Sequence, residues 1–196
     1  MRLVLASGSP RRAALLNQLA LEFEVDPPDI DEGRLPDERP DGYVERLARG
    51  KALAKARPET VVVAADTAVV HEGHVLGKPG HPEEARSMLR RIEGDIHEVV
   101  TGLAVASGTE VHSLVDITTV RMLPMTDDEV NGYVETGEPM DKAGSYALQG
   151  RGGIFVESVS GSPFTVIGMP IHLLPRLMLR VGTDLHHFER RTRSNL

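Results

Sequence analysis

The sequence contains no cysteine and no tryptophan, and aromatic residues make up only 4% of its 196 positions. Without cysteine, disulfides, thiolate metal sites and a cysteine nucleophile are excluded. The scarcity of aromatic side chains argues against the stacking surfaces that bind single-stranded nucleic acid. Positive charge is not in excess either, because the formal net charge is −7. Nucleic-acid-binding proteins more often carry a basic stripe, so we expect no stable nucleic-acid partner.

Long apolar runs are also missing. No segment approaches the roughly 18 consecutive apolar residues that cross a membrane. The apolar stretch that follows Arg2 is too short for a signal peptide. We therefore expect a cytoplasmic protein without a membrane partner. The length suits one domain over residues 1–196, in which about 183–196 form a polar tail.

Strand and helix patterns alternate along the chain, which predicts an α/β (mixed α+β) fold. The patterns predict helices at about 10–20, 41–57, 82–94, 126–137 and 170–181. They predict strands at 3–5, 22–26, 61–65, 68–70, 75–76, 97–107, 110–121, 145–148 and 153–159. Pro175 is expected to kink or break the last helix. His71 and His74 flank a hairpin tip and are interpreted as surface residues rather than as a metal pair.

The first candidate site is the turn between the first strand and the first helix. Ser9 is a suitable N-cap there, and Pro10 suits the first helical position. Free N–H groups at a helix N-terminus attract anions, and Arg11 and Arg12 add forked cationic donors. The segment predicts a polyphosphate-binding turn. The alternative is an ordinary strand–turn–helix with solvated arginines.

The second candidate is Asp66, which follows the apolar run Val61–Ala65 and precedes Thr67. The run is typical of a strand buried on both faces, and we expect it to end at Asp66. Ligands bind near the carboxyl ends of strands in open α/β sheets. A carboxylate in that position can bind a divalent metal or take a proton from water. The alternative is an aspartate that only begins a turn.

Three further residues are weaker candidates when each is considered alone. Lys78 lies in a stiff Gly-Lys-Pro loop, which could direct its ammonium at phosphate. Glu32 lies in a carboxylate-rich loop and could add oxygen ligands for a metal. Gln149 lies in a glycine-rich turn, and its amide could pair with the edge of uracil or thymine. A solvated loop or turn is the alternative for each.

Together these segments resemble the Maf-like nucleotide pyrophosphatases. Eight matching segments occur in the same order between about residues 3 and 175, which makes the resemblance specific. They are Ala6–Arg12, Lys51 within Arg-Gly-Lys-Ala, Ala65–Thr67, Gly77–Pro79, Gly94–His97 with Val100–Gly102, Asp141–Gly144, Tyr146–Gly150 and Gly168–Pro170.

The resemblance implies a Maf/inosine-triphosphatase-like fold, with two lobes around a central mixed sheet and an active-site cleft. It implies hydrolysis of a nucleoside triphosphate to the monophosphate and pyrophosphate. Thr67 and Gln149 match the branch that acts on dTTP and UTP, or on modified pyrimidine nucleotides. The alternatives are 7-methyl-GTP or another base as substrate, and a nucleotide-binding regulator of cell division with little turnover. The resemblance also allows a homodimer, although no surface stripe indicates one.

The resemblance further implies roles for individual residues. Asp66 matches the proton acceptor and, with Glu32, would hold Mg²⁺ or Mn²⁺. Base specificity is assigned to Thr67 and Gln149, together with Arg11. The side chains expected to hold the phosphates are Ser9, Arg11, Arg12, Lys51 and Lys78.

Overall fold

A seven-stranded mixed sheet runs through residues 1–190, which the computed structural model describes. Its strands are β1 (Arg2–Leu5), β2 (Glu24–Val25), β3 (Thr60–His71), β4 (His74–Leu76), β5 (Ile96–Ser107), β6 (Glu110–Met122) and β7 (Val156–Ser160). The order is β2-β1-β3-β5-β6-β7, with β4 paired to β3. β1 is parallel to β2 and β3, and the other pairs are antiparallel.

Helices cover the sheet. The α-helices of the described chain are α1 (Pro10–Gln18), α2 (Pro40–Lys55), α3 (Pro82–Ile92), α4 (Asp127–Glu135), α5 (Pro163–Ile167) and α6 (Leu174–Arg180). Short 3₁₀ helices span Glu138–Asp141, Ala143–Ser145, Arg151–Phe155, Ile171–Leu173 and Leu185–Phe188. The mixed α/β architecture expected from the sequence is confirmed. Within residues 1–190, no helix is both long and apolar enough to cross a bilayer.

The first half of β3 is buried on both faces, as the valine-rich run predicts. Val61 and Val63 pack into a core with α1 and α6, whereas Val62 and Ala64 pack against small residues of α2. This alternation follows from the two-residue period of a strand. A second core, around α3 and α4, packs on the far half of β3 and β5.

Helix α2 lies very close to the sheet because of a glycine in β5. A Cβ atom added at Gly102 would lie 2.5 Å from the carbonyl oxygen of Val44, in the backbone of α2. Only glycine therefore permits this approach. Gly102 pairs with Asp66 across the β3–β5 ladder, so the same close packing brings the helix that carries Lys51 over Asp66.

Several local predictions are confirmed. The hairpin at 71–74 forms as expected, and the strands predicted at 97–107 and 110–121 pair in a second hairpin. Helix α4 lies within the predicted range 126–137 and begins with a complete capping box between Thr126 and Glu129. The last helix breaks where Leu173 gives way to Leu174, so that Pro175 lies in the first turn of α6.

Other local predictions are wrong. Residues 61–65 and 68–70 belong to one strand, β3, rather than to two. Residues 145–148 form no strand; a 3₁₀ turn ends at Ser145 and irregular backbone follows. Helix α5 was not predicted. His71 is 9% exposed rather than a surface residue, and its Nε2 contacts Asp95 Oδ2 at 3.0 Å.

The predicted polar tail at about 183–196 is wrong for residues 183–190. Phe188 is 5% exposed and packs into the first core. Its carbonyl accepts a hydrogen bond from Glu22 N at 2.7 Å, and Arg190 N donates to Ala20 O at 2.8 Å. Residues 191–196 of the predicted tail lie outside the described residues.

Candidate active site

One cavity of about 610 Å³ lies between the two cores. Every side chain singled out from the sequence lines it, although the residues are up to 140 positions apart. They are Ser9, Arg11, Arg12, Glu32, Lys51, Asp66, Thr67, Lys78 and Gln149. Cations, carboxylates and an amide therefore face one common space. Their individual roles stay predictions.

Asp66 does not end a strand, contrary to the sequence-based expectation. It lies in the middle of β3, between two buried apolar stretches, and its side chain reaches the cavity. Its Oδ1 accepts a hydrogen bond from Lys51 Nζ at 2.7 Å, and both side chains are about nine-tenths buried. Burial raises the pKa of Asp66 above the ordinary aspartate value, although the positive charges of Lys51 and Arg12 oppose this. The carboxylate is therefore a stronger base than one in open water.

Glu32 shares the Lys51 ammonium with Asp66. Its Oε1 lies 2.8 Å from Lys51 Nζ, and its side chain is about half exposed at the cavity wall. The loop that carries Glu32 is fixed to α2, because Tyr43 OH donates to Glu32 O at 3.2 Å and Arg46 donates to Gly33 O at 2.9 Å. Tyr43 also lines the cavity. Its spacing of four residues from Leu47 on the same helix is typical of a core contact, so the sequence did not indicate that it faces the cavity.

The N-terminal turn opens onto the cavity as expected. Helix α1 begins at Pro10 with Ser9 at the N-cap position, but the Ser9 side chain makes no capping hydrogen bond. Its backbone N–H donates to Ser7 Oγ at 3.2 Å. The Ser9 hydroxyl is therefore left for a ligand at the helix N-terminus, where anions are stabilised.

The two arginines of the turn differ in their contacts. Arg12 is half-buried and donates three hydrogen bonds to the protein, to Gly168 O at 2.9 Å, Ser7 Oγ at 3.0 Å and Thr67 Oγ1 at 3.3 Å. Burial lowers its pKa, but a guanidinium stays protonated in proteins. Arg11 makes a single ion pair, at 3.3 Å with Asp141. Arg12 thus contributes a fixed charge, whereas Arg11 can be reoriented by an anion.

Thr67 is held in a network that crosses the sheet. Its hydroxyl lies 3.1 Å from the hydroxyl of its cross-strand partner Thr101 and 3.4 Å from Gly168 O. Thr101 in turn donates to Thr165 O at 2.8 Å. With Arg12 as the third neighbour of Thr67, the Thr67 hydroxyl faces the cavity in one orientation.

Three residues that received no role from the sequence also line the cavity, namely Asp141, Lys142 and Tyr146. Asp141 accepts from both Arg11 and Lys142, and the Lys142 ammonium also donates to Glu138 O at 2.6 Å. Tyr146 OH contacts His97 Nε2 at 2.8 Å. These residues lie in Asp141–Gly144 and Tyr146–Gly150, two segments that match the Maf-like family. That match was the only feature of the sequence that could have indicated a place in the cavity.

The donors for a metal are few. Residues 1–190 contain no group of three or more histidine, aspartate or glutamate side chains arranged to hold a metal. Asp66 and Glu32 do face the same positive charge on Lys51 from neighbouring parts of the cavity wall. Mg²⁺ is usually bound through one or two carboxylates together with substrate phosphates, so this pair of carboxylates fits such an ion.

Comparison with known proteins gives consistent results. A family described as "Maf-like protein" matches residues 2–181. A protein of Anaeromyxobacter dehalogenans named "dTTP/UTP pyrophosphatase" is 51% identical over 189 residues, which are 94% of this chain and 96% of that one. A protein of Symbiobacterium thermophilum with the same name is 42% identical over 183 residues, 92% of this chain and 94% of that one.

Among solved structures, a HAM1 protein from Coxiella burnetii has a TM-score of 0.43 and 16% identity, over 62% of this chain and 73% of that one. This likeness is too low to carry an argument.

Proposed function

The chain belongs to the Maf-like protein family, and on that premise we propose that it hydrolyses dTTP and UTP to the nucleoside monophosphate and pyrophosphate. The observation that supports this most is that one cavity collects five cations, three carboxylates and an amide. Such a set suits a triphosphate at one end and a base at the other. Modified pyrimidine nucleotides present the same chemistry and belong to the proposal.

The triphosphate would lie at the N-terminus of α1. Transfer at phosphorus requires neutralisation of the phosphate charges, and Arg11, Lys51 and Lys78 supply mobile or buried positive charge there. Arg12 adds a positive charge that is permanent, because its guanidinium stays protonated. The hydroxyl of Ser9, which the N-cap does not use, would donate to a phosphate oxygen.

Asp66 would accept the proton of the attacking water. One of its oxygens is occupied by Lys51, and the other has no hydrogen-bond partner among residues 1–190. Burial has raised its pKa, which favours proton transfer from water. Lys51 keeps the carboxylate oriented and stabilises its charge until the proton arrives.

A divalent cation belongs to this proposal. Asp66 and Glu32 would hold Mg²⁺ or Mn²⁺, which when bound neutralises phosphate charge and lowers the pKa of water. Thr67 and Gln149 would contact the base. The cytoplasmic location and the homodimer inferred from the sequence stay predictions.

A panel of nucleotides tests the function. UTP, dTTP, CTP, GTP, ATP and 7-methyl-GTP are supplied separately with Mg²⁺ or Mn²⁺, and pyrophosphate and orthophosphate are measured. We expect pyrophosphate release with the highest kcat/KM for UTP and dTTP. Preference for 7-methyl-GTP would contradict the base assignment. Tight binding of UTP without pyrophosphate release would instead indicate a nucleotide-binding regulator.

A further inference from the structure

Glu138 does not line the cavity, yet its carboxylate binds the backbone of the loop that carries Gln149. Oε2 accepts a hydrogen bond from Arg151 N and Oε1 accepts one from Gly152 N, both at 3.0 Å. Two backbone donors that follow Gln149 are therefore fixed by one charged acceptor. Hydrogen bonds to an ionised group are stronger than neutral ones, so this contact restricts the loop firmly.

Tyr133 fixes the same loop on the other side of Gln149. Its hydroxyl donates to Glu138 Oε1 at 2.8 Å and accepts from Ala147 N at 3.2 Å. The ring is 4% exposed and packs edge-on against Phe155, at 5.6 Å between ring centroids. Both ends of the segment 147–152 are thus attached to the Tyr133–Glu138 pair, and Gln149 projects between the two attachments.

The glycines of the loop show how close this contact is. A Cβ atom added at Gly150 would lie 2.5 Å from the Glu138 carboxylate oxygens, and one at Gly152 would clash with the Tyr133 hydroxyl. The loop backbone therefore rests directly on the two side chains. The backbone of this loop is thus held by two side chains rather than by pairing in the sheet.

Glu138 carries its charge at neutral pH. Burial raises the pKa of Glu138, but the hydrogen bonds from Gly152, Arg151 and Tyr133 outweigh this and leave the pKa below the ordinary glutamate value. The Lys142 ammonium lies nearby on the carbonyl of Glu138. An anion is thus available to hold the loop under assay conditions.

We propose that Glu138 is a positioning residue that fixes the loop 147–152 so that Gln149 can discriminate between bases. The inference rests on the proposed function, in which Gln149 contacts the base. Gln149 is exposed and long, and a hydrogen bond discriminates between substrates only when its donor and acceptor are held in place. Neither Glu138 nor Tyr133 reaches the cavity, so both act through the loop.

The test compares Glu138→Gln with Glu135→Gln. Glutamine keeps the shape, but its amide nitrogen must face a backbone N–H or the tyrosine hydroxyl, so at least one hydrogen bond is lost. Glu135 is an exposed glutamate at the end of α4 with no side-chain partner among residues 1–190, and serves as the matched control. Two quantities are measured: kcat and KM for UTP and CTP, and amide hydrogen exchange in the free protein.

For Glu138→Gln we expect the ratio of kcat/KM for UTP over CTP to fall about tenfold. KM for UTP should rise while kcat at saturation stays near wild type, because the lost contact affects binding of the base rather than the chemical step. The amides of Arg151 and Gly152 should exchange faster. Glu135→Gln should match wild type in every measurement. Tyr133→Phe, which keeps the ring packing, should shift the ratio in the same direction.

An unchanged UTP/CTP ratio in a folded Glu138→Gln protein overturns the inference, whether or not exchange becomes faster. If Glu138→Gln does not fold, the ratio in Tyr133→Phe decides in the same way. Failure of the proposed function looks different, because the wild-type protein would then prefer another nucleotide. The ratio for that nucleotide over CTP in Glu138→Gln would then decide the inference separately.

Discussion

Replacing Asp66 by asparagine removes the proposed proton acceptor while it keeps the shape of the site. The amide oxygen can still accept from Lys51 Nζ, which lies 2.7 Å from Oδ1. The other carboxylate oxygen becomes an NH₂ group, which can neither take a proton nor bind a metal, so the comparison is made at saturating Mg²⁺. General-base catalysis contributes about 10²–10⁴ in rate, or roughly 3–5 kcal/mol of barrier. We therefore expect kcat for dTTP to fall by two to four decades, about that contribution.

The assay is initial-rate pyrophosphate release over a range of dTTP concentrations, with thermal unfolding as a check on the fold. The chain offers a matched control in Asp26→Asn. Asp26 pairs with Lys55, one turn beyond Lys51 on α2, at 2.6 Å, but this pair lies outside the cavity. The control should retain turnover. If folded Asp66→Asn turned over dTTP at close to the wild-type rate, Asp66 would not be the base.

The pH profile adds a second readout of the same residue. A base works only when deprotonated, so kcat should fall as the pH drops through the pKa of Asp66. Burial raises that pKa, so at a limiting Mg²⁺ concentration, where the cation does not lower it, the acid limb should lie above the ordinary aspartate value of about 3.9. Asp66→Asn should lack this limb. A wild-type profile that stays flat down to the ordinary aspartate range would contradict the burial argument.

Three further predictions concern single residues. Lys51→Met breaks a buried ion pair and should lower the free energy of unfolding by about 3 kcal/mol, which is the lower end for such pairs because the cavity is open to solvent. Urea unfolding checks this, with Lys55→Met, whose ion pair is more exposed, as the comparison. Gln149→Ala should lower the UTP/CTP ratio of kcat/KM about ten- to a hundredfold, and an unchanged ratio would remove it from base recognition. Burial lowers the pKa of His97 to about 4, so on acidification the unfolded chain takes up a proton at this histidine before the folded protein does. The free energy of unfolding should therefore fall by about 2–3 kcal/mol as the pH drops from about 6.5 towards 4.5. In urea unfolding at these two pH values, His97→Gln should lack this part of the pH dependence.

The sequence predicted the elements whose signals are local. The capping box at Thr126 acts within one turn, and Pro175 cannot continue a helix whatever surrounds it. The hairpin between β5 and β6 has a short turn at Gly108, which takes a positive φ of 58°. Each of these depends on a few neighbouring residues, so the sequence alone was sufficient.

The position of Asp66 could not be predicted in this way. Two polar residues between apolar runs predict a strand end, yet here they lie within a strand of 12 residues. The break in the pattern comes from the cavity that Asp66 and Thr67 face, and the cavity is formed by α1, α2 and the 147–152 loop together. A polar residue that ends a strand and one that faces a cavity look alike locally.

Residues 145–152 were assigned to a strand and a turn for a related reason. Tyr146, Ala147 and Leu148 favour a strand by composition, but tertiary contacts override this preference. Glu138 and Tyr133 determine the backbone there. No local pattern around Glu138 indicates that its carboxylate binds a loop more than ten residues away.

A crystal structure with a UTP analogue whose α,β bridge resists hydrolysis would show directly where the nucleotide binds. We expect one nucleotide in the cavity of about 610 Å³, with its phosphates at Ser9, Arg11 and Lys51 and its uracil beside Gln149. A nucleotide bound on another surface would contradict this expectation, as would one in the cavity with its phosphates at Gln149.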